Sequence, residues 1–211
     1  MYRRIGKRAL DLLLVVPSLV LLAPAMAIIS LLIRLDSAGP VFFVQERLGR
    51  GGKTFRAYKF RTMVDRQRTE HREIFGKTDE VTKFGYWLRR LKLDEVPQLL
   101  NVLKGEMSIV GPRPALPQQL GEYTELALRR LEVRPGLTGL AQVNGNIHLT
   151  WPERWQWDAM YVDRLSLWLD LKIILLTFLV VILGERWTVR RATETEPATH
   201  KDDVGCKQGH S

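Results

Sequence analysis

Apolar residues in this chain fall into two long runs, with shorter periodic stretches between them. The first run, Ala9 to Ile33, follows a basic cluster of Arg3, Arg4, Lys7 and Arg8. As a helix it would extend about 37 Å, enough to cross a hydrocarbon core of about 30 Å. Pro17 and Pro24 both fall inside it, and a mid-helix proline removes a hydrogen bond and forces a bend. The run therefore reads either as a single-span anchor or as a hairpin that enters one leaflet, bends near Ala23-Pro24 and returns. Its length and the lack of a cleavage site argue against a signal peptide. The second run, Leu165 to Leu183, is interrupted by Asp170 and Lys172, leaving 11 apolar or near-apolar residues from Ile173 to Leu183. A run that short suits an interfacial helix better than a span.

Between the runs the periodicity changes. Val41 to Val44 reads as one strand and Thr54 to Phe60 as a second. They are joined by Arg47-Leu48-Gly49-Arg50-Gly51-Gly52-Lys53, a hairpin loop or, less conventionally, a phosphate-cradling loop without the Walker ending. Asp65 to Lys83 is polar and charge-mixed, a surface helix or mobile loop, and its His71 is a solvated side chain. Val96, Leu99, Leu100 and Leu103 have the spacing of a helix with one buried face, begun around Pro97 and ended at Gly105. Leu116 to Leu131 predicts an amphipathic helix. Arg134 to Gly145 is turn-rich, and Trp151, Trp155, Trp157, Tyr161 and Trp168 form an aromatic series suited to a core or to the water–lipid boundary. The expected fold class is α/β, mostly α with a small β-hairpin or sheet. Three parts are expected: residues 1–36 in the membrane, a catalytic body over 37–184 and a disordered tail over 185–211.

Charge narrows the partners. The 211 residues carry 32 Lys+Arg and 23 Asp+Glu, a net charge of +9. The last 27 residues hold five acids and five bases, so all the excess lies before them. A basic body suits nucleic acid, an anionic membrane surface or phosphorylated substrates. No nucleic-acid module is visible. The single Cys206 excludes an internal disulfide framework.

The candidate chemistry lies in Leu91 to Pro114. Asp94 and Glu95 are expected at a helix N-terminus, where the dipole lowers carboxylate pKa; simple capping is the alternative. Downstream, Gly111-Pro112-Arg113-Pro114 holds one guanidinium on a stiff backbone, a fork suited to phosphate oxygens. Arg89, Arg90 and Lys92 flank the acids. Lys59 and Arg61, two apart on a strand, face the same way. Ionised acids beside cations suit a Mg²⁺-dependent phosphate site in which one carboxylate attacks phosphorus.

Three blocks carry a resemblance. Tyr58-Lys59-Phe60-Arg61-Thr62-Met63 is followed by Leu93-Asp94-Glu95-Val96-Pro97-Gln98-Leu99 with Asn101 to Ser108 and Val110 to Pro114. The third block is Arg134-Pro135-Gly136-Leu137-Thr138-Gly139-Leu140-Ala141-Gln142-Val143-Asn144-Gly145. Together they resemble the bacterial sugar transferases, the monotopic phosphoglycosyl transferases that start glycan assembly, from about Tyr2 to Leu183. As the sequence starts directly at the membrane segment, the expectation is a resemblance to the minimal form.

The resemblance implies a defined reaction. A UDP-sugar binds with Mg²⁺, Asp94 attacks the β-phosphate and releases UMP, and undecaprenyl phosphate then takes the sugar phosphate from the enzyme. It also implies that Asp94 and Glu95 are the catalytic and metal-binding acids. Lys59, Arg61, Arg89, Arg113, Arg134, Gln142, Asn144 and Asp158 would serve the substrates, Asp158 through an Asp-x-x-Tyr pattern with Tyr161. A UDP-sugar is cytosolic, so a single span would leave the N-terminal cations outside, against the positive-inside bias. The implied topology is therefore a re-entrant helix on the cytosolic face of the bacterial inner membrane, with anionic lipid as a partner. Two departures stand out: the family's Ser-Pro at the bend is Ala23-Pro24, and the Arg that commonly follows Asn-Gly is Asn146. The competing readings are a non-catalytic basic membrane-binding module and a single-pass enzyme with other phosphoryl-transfer chemistry. The particular sugar and any homo-oligomer are not legible.

Overall fold

The computed structural model describes residues 2–64 and 80–183. The expected tail and residues 65–79 of the polar segment, including His71, lie outside the described residues. A short π-turn, Tyr2–Gly6, leads into α1 (Lys7–Asp36), one helix of 30 residues with Pro17 and Pro24 inside it. The Ser18 hydroxyl bonds the Leu14 carbonyl at 2.7 Å, next to the Leu13 carbonyl that Pro17 leaves without a donor. Among the described residues α1 is the one helix long and apolar enough to cross a membrane. Its two ends pack on the same folded body: Lys7, Asp11 and Val15 are buried at one end and Ile33 at the other. Leu13, Val20, Leu21 and Ile28 between them are exposed. An exposed apolar face on this scale marks an interaction surface, and on a helix of this length a membrane is consistent with it.

The two predicted strands form an antiparallel hairpin, β1 (Phe42–Leu48) and β2 (Thr54–Phe60), with Phe43 opposite Lys59 and Arg47 opposite Phe55. The chain turns through Gly51 and Gly52 at φ +69° and +74°, a region that favours glycine. The other edge of β2 is covered by one side chain. Asn101 accepts from Tyr58 N at 3.1 Å and donates to Arg56 O at 2.7 Å, taking the place of a neighbouring strand.

Asn101 belongs to α3 (Leu99–Lys104), reached from α2 (Lys83–Arg90) through a 3₁₀ turn, Leu93–Gln98. The helix ends at Gly105, as expected, with φ +85°. Its buried face differs from the expected one: Gln98, Asn101 and Val102 are buried, while Leu100 and Leu103 are exposed. The buried Asn is tolerated because β2 supplies its hydrogen-bond partners.

Two strands of three residues, β3 (Ser108–Val110) and β4 (Gly136–Thr138), pair in parallel. Asp11 fastens α1 to β3, accepting from Ser108 Oγ at 2.9 Å and Ile109 N at 3.0 Å. Strands this short leave no periodic trace. The amphipathic helix expected over Leu116 to Leu131 is a correction. The segment breaks into a 3₁₀ turn (Pro117–Glu122), α4 (Glu125–Leu128) and a second 3₁₀ turn (Arg129–Glu132). The break falls where Thr124 caps a new start, its hydroxyl accepting from Ala127 N. After β4 come α5 (Leu140–Val143), α6 (Trp151–Arg164) and α7 (Leu167–Leu183).

The core gathers in three clusters. Val15 packs with Phe55, Ala57, Val102 and Met107, and Ile33 packs with Phe60 and Leu88. Val110, Val143, Tyr161, Ile173 and Leu176 fill the third. The hairpin and α3 are thus held between the two ends of α1. The fold is mostly helical with small sheets, as expected.

Candidate active site

Lys92, at φ +57°, turns the chain out of α2 and into Leu93–Gln98, which carries both acids. This turn packs against β2, the strand that delivers Lys59. Lys59 Nζ lies 2.8 Å from Glu95 Oε1, and Arg113 Nη2 lies 2.9 Å from the same oxygen. Two cations therefore converge on one carboxylate. Arg113 is 44% exposed and Lys59 20%, so both retain a face for a ligand.

The adjacent acids are pushed in opposite directions. Burial by itself would raise the Glu95 pKa, but Arg113 and Lys59 outweigh it and hold the carboxyl well below the usual range. Asp94 moves upward: burial and the neighbouring Glu95 charge outweigh the attraction of Lys59, Arg89 and Lys92. The expected lowering of both acids by a helix dipole is corrected here. The turn is short, and individual charges and burial decide. Acid pairs separated in this way are suited to different roles.

The other predicted residues divide. Arg89 stays near Asp94, its Nε on Thr62 Oγ1 at 2.8 Å. Arg61 faces elsewhere: it is buried, and its guanidinium donates to the carbonyls of Ala38 and Ser37, tying the end of α1 to β2. Arg134 donates to Gly105 O at 2.8 Å, and Arg8 donates to Leu103 O at 2.8 Å, so two cations cap the C-terminal end of α3. Gln142 donates to Leu137 O and Asn144 to Leu140 O, both within their own turn. Asp158 is buried against Arg130, Oδ2 to Nη2 at 3.0 Å, rather than facing the acids.

Several residues here have no motif to announce them. Arg47 and Gln98 line the cleft that also holds Lys59, Glu95 and Arg113. The residue pattern puts Arg47 at the start of the hairpin loop, but β1 runs on to Leu48, which sets it on the same face as Gln45 and Phe43. Arg130, within the segment expected as an amphipathic helix, supports the Arg113 loop through its bond to Arg113 O. Asp170, which broke the second apolar run, is fully buried and accepts from Lys7, Tyr161 and Tyr2. A charge inside an apolar run is itself the sign of a buried partner.

A carboxylate pair beneath cations, on a body carrying one long helix apolar enough to cross a membrane, suits an enzyme of phosphorylated substrates at a membrane. The model of the bacterial sugar transferase family matches residues 2–184, and the chain belongs to that family. It is 45% identical over 172 residues to the uncharacterized sugar transferase EpsL of Bacillus subtilis, covering 82% of this chain and 85% of that one. Identity to an undecaprenyl-phosphate glucose phosphotransferase of Komagataeibacter xylinus is 44%, covering 81% of this chain and 35% of the relative. A UDP-N-acetylgalactosamine-undecaprenyl-phosphate N-acetylgalactosaminephosphotransferase of Aeromonas hydrophila is 37% identical, covering 84% and 44%. The chain thus spans less than half the length of these two larger relatives. It is a transferase of this family.

Proposed function

We propose that this chain moves a sugar 1-phosphate from a UDP-sugar to undecaprenyl phosphate on the cytosolic face of the bacterial inner membrane. This would be the first membrane step of a glycan such as an exopolysaccharide, capsule or O-antigen. The observation that carries the reading is the division of labour between Asp94 and Glu95. Glu95 is occupied by Lys59 and Arg113, whereas no described residue hydrogen-bonds the Asp94 carboxylate beside it. Asp94 is the nucleophile. Its oxygen bonds to the β-phosphorus, the bond from that phosphorus to the oxygen bridging to the α-phosphate breaks, and UMP leaves. A phosphate oxygen of undecaprenyl phosphate then bonds to the same phosphorus, and the Asp94 carboxylate departs. Lys59 and Arg113 screen the anion-on-anion approach in both steps.

Among the described residues no cluster of three or more acids, histidines or cysteines gathers. Mg²⁺ needs none, since it takes one or two carboxylates together with substrate phosphates and water. Both cations fall on Oε1 of Glu95, so its Oε2 and the neighbouring Asp94 carboxylate, hard oxygen donors of the kind Mg²⁺ takes, would be the groups to hold the ion. Bound there with the donor, Mg²⁺ would neutralise diphosphate charge. The burial of both ends of α1 in one body supports a re-entrant rather than a spanning helix.

The test is to incubate detergent-solubilised protein with Mg²⁺, undecaprenyl phosphate and a panel of UDP-sugars while following UMP. Intact-mass analysis of donor-only samples should show a phosphosugar adduct that is absent from Asp94→Asn. Folded protein that releases no UMP across the panel would remove the reading.

A further inference from the structure

Four successive carbonyls of the loop carrying Arg113 are each held by a different donor. Pro112 O accepts from Gly136 N at 2.9 Å and Ala115 O from Leu48 N at 2.8 Å. Between them, Arg113 O accepts from Arg130 Nη2 at 2.8 Å and Pro114 O from Arg47 Nη1 at 3.1 Å. The prolines on either side of Arg113 have no N–H, so the loop cannot close on itself through those positions and is held from outside.

Two of the four donors are buried guanidinium groups. Arg47 is 8% exposed and Arg130 6%. Burying such a group is unfavourable unless it is paired and hydrogen-bonded. Arg130 has Asp158 at 3.0 Å and the Tyr123 hydroxyl at 2.9 Å; Arg47 has Gln45 Oε1 at 2.6 Å. Backbone donors already hold both ends of the loop, so a loop that only had to stay folded would not need two buried charges at its centre.

We infer that Arg47 and Arg130, the latter held by Asp158, are positioning residues for Arg113. They fix its backbone so that only the side chain moves between Glu95 and a phosphate oxygen of the substrate. A pre-set guanidinium loses less freedom when it engages, and misplacement of a binding group by about 1 Å can lower a rate about 100-fold. Asp158 acts on the reaction at second hand, through Arg130, without touching substrate. The inference rests on the reading of Arg113 as a phosphate-holding residue.

A double-mutant cycle tests it. In an otherwise natural chain, Arg47→Met and Arg130→Lys should each lower kcat/KM for UMP release about 10-fold to 100-fold, mostly through the UDP-sugar KM. In an Arg113→Ala background the same substitutions should change it less than about twofold, because the group they position is gone. Thermal unfolding of every variant restricts the comparison to folded protein, and Arg47→Lys replaces Arg47→Met if the latter does not fold. A full loss that persists in the Arg113→Ala background would overturn the inference. So would unchanged kinetics in the single variants, or an Arg113→Ala chain with natural activity. UMP release by the natural chain and its loss in Asp94→Asn test the reaction separately, so the two failures are distinguishable.

Discussion

Lys7 Nζ lies 2.8 Å from Asp170 Oδ2, joining the first turn of α1 to the first turn of α7 across 163 positions of sequence. Both side chains are buried, and the carboxylate also accepts from the Tyr161 hydroxyl, 2.8 Å from Oδ1, and from the Tyr2 hydroxyl. The two long apolar elements of the chain are therefore locked together at the base of the body, and their exposed faces remain available to lipid.

Lys7→Met should destabilise the folded protein by about 3 kcal/mol or more, since removing one partner leaves an uncompensated buried charge. Thermal or denaturant unfolding in detergent measures it. Unfolding indistinguishable from the natural protein would mean that the pair contributes nothing.

Substitution of the two acids should separate chemistry from organisation. Asp94→Asn should abolish the phosphosugar adduct and lower turnover by at least about 10³-fold with little change in melting temperature. Glu95→Gln removes the negative charge that Lys59 and Arg113 share while keeping an acceptor oxygen, and should lower activity while still permitting a slowly formed adduct. Rapid-quench UMP assays with intact-mass analysis distinguish these outcomes.

Arg61 provides the contrast within the same basic block. Its guanidinium holds the carbonyls of Ser37 and Ala38. Arg61→Ala should therefore lower the melting temperature by several degrees, because the buried guanidinium that ties the end of α1 to β2 is lost. The KM for UDP-sugar should stay within about twofold in the folded fraction, since the guanidinium points away from the acids. A large KM change without loss of stability would move Arg61 into the site.

Asp158 sets a pH dependence. Burial, only partly offset by Arg130 and Arg154, raises its carboxyl from 3.8 to about 6. The folded chain therefore holds this proton more tightly than the unfolded chain does. The contribution to stability is fully present below about pH 4, declines as pH rises to about 6 and is level above that. Subtracting the melting-temperature profile of Asp158→Asn from that of the natural protein should leave this falling slope between pH 4 and 6. A flat difference over that window would refute the assignment.

A glycine tests the packing behind the site. A Cβ on Gly85 would lie 2.2 Å from Thr62 O and 2.7 Å from Thr62 Cα, both backbone atoms that cannot easily move. Gly85→Ala should displace α2 from the end of β2, disturbing the bond from Arg89 to Thr62. Overpacking of this kind costs about 1–3 kcal/mol or more. Melting temperature reads the stability, and donor kinetics should worsen with it because Arg89 stands beside Asp94.

Residue chemistry along the chain was enough to place the hairpin strand over Thr54 to Phe60, the helix stop at Gly105 and the long apolar helix over Ala9 to Ile33. Each of these is local: a two-residue alternation, a backbone that needs positive φ, a length of apolar side chains. The proximity of Asp94, Glu95, Lys59 and Arg113 was expected only from the shared wording of separated blocks. Tertiary structure brings Lys59 and Arg113 onto one oxygen of Glu95. It also decided what Arg61, Arg134, Gln142, Asn144 and Asp158 touch, because cations and amides with identical local patterns can satisfy backbone carbonyls or substrate equally well, and a carboxylate can serve either a buried cation or a ligand. Arg47, Arg130 and Asp170 belong to the same class. Each has at least one partner distant in sequence, and a buried charge is defined by what packs around it, which no local pattern records.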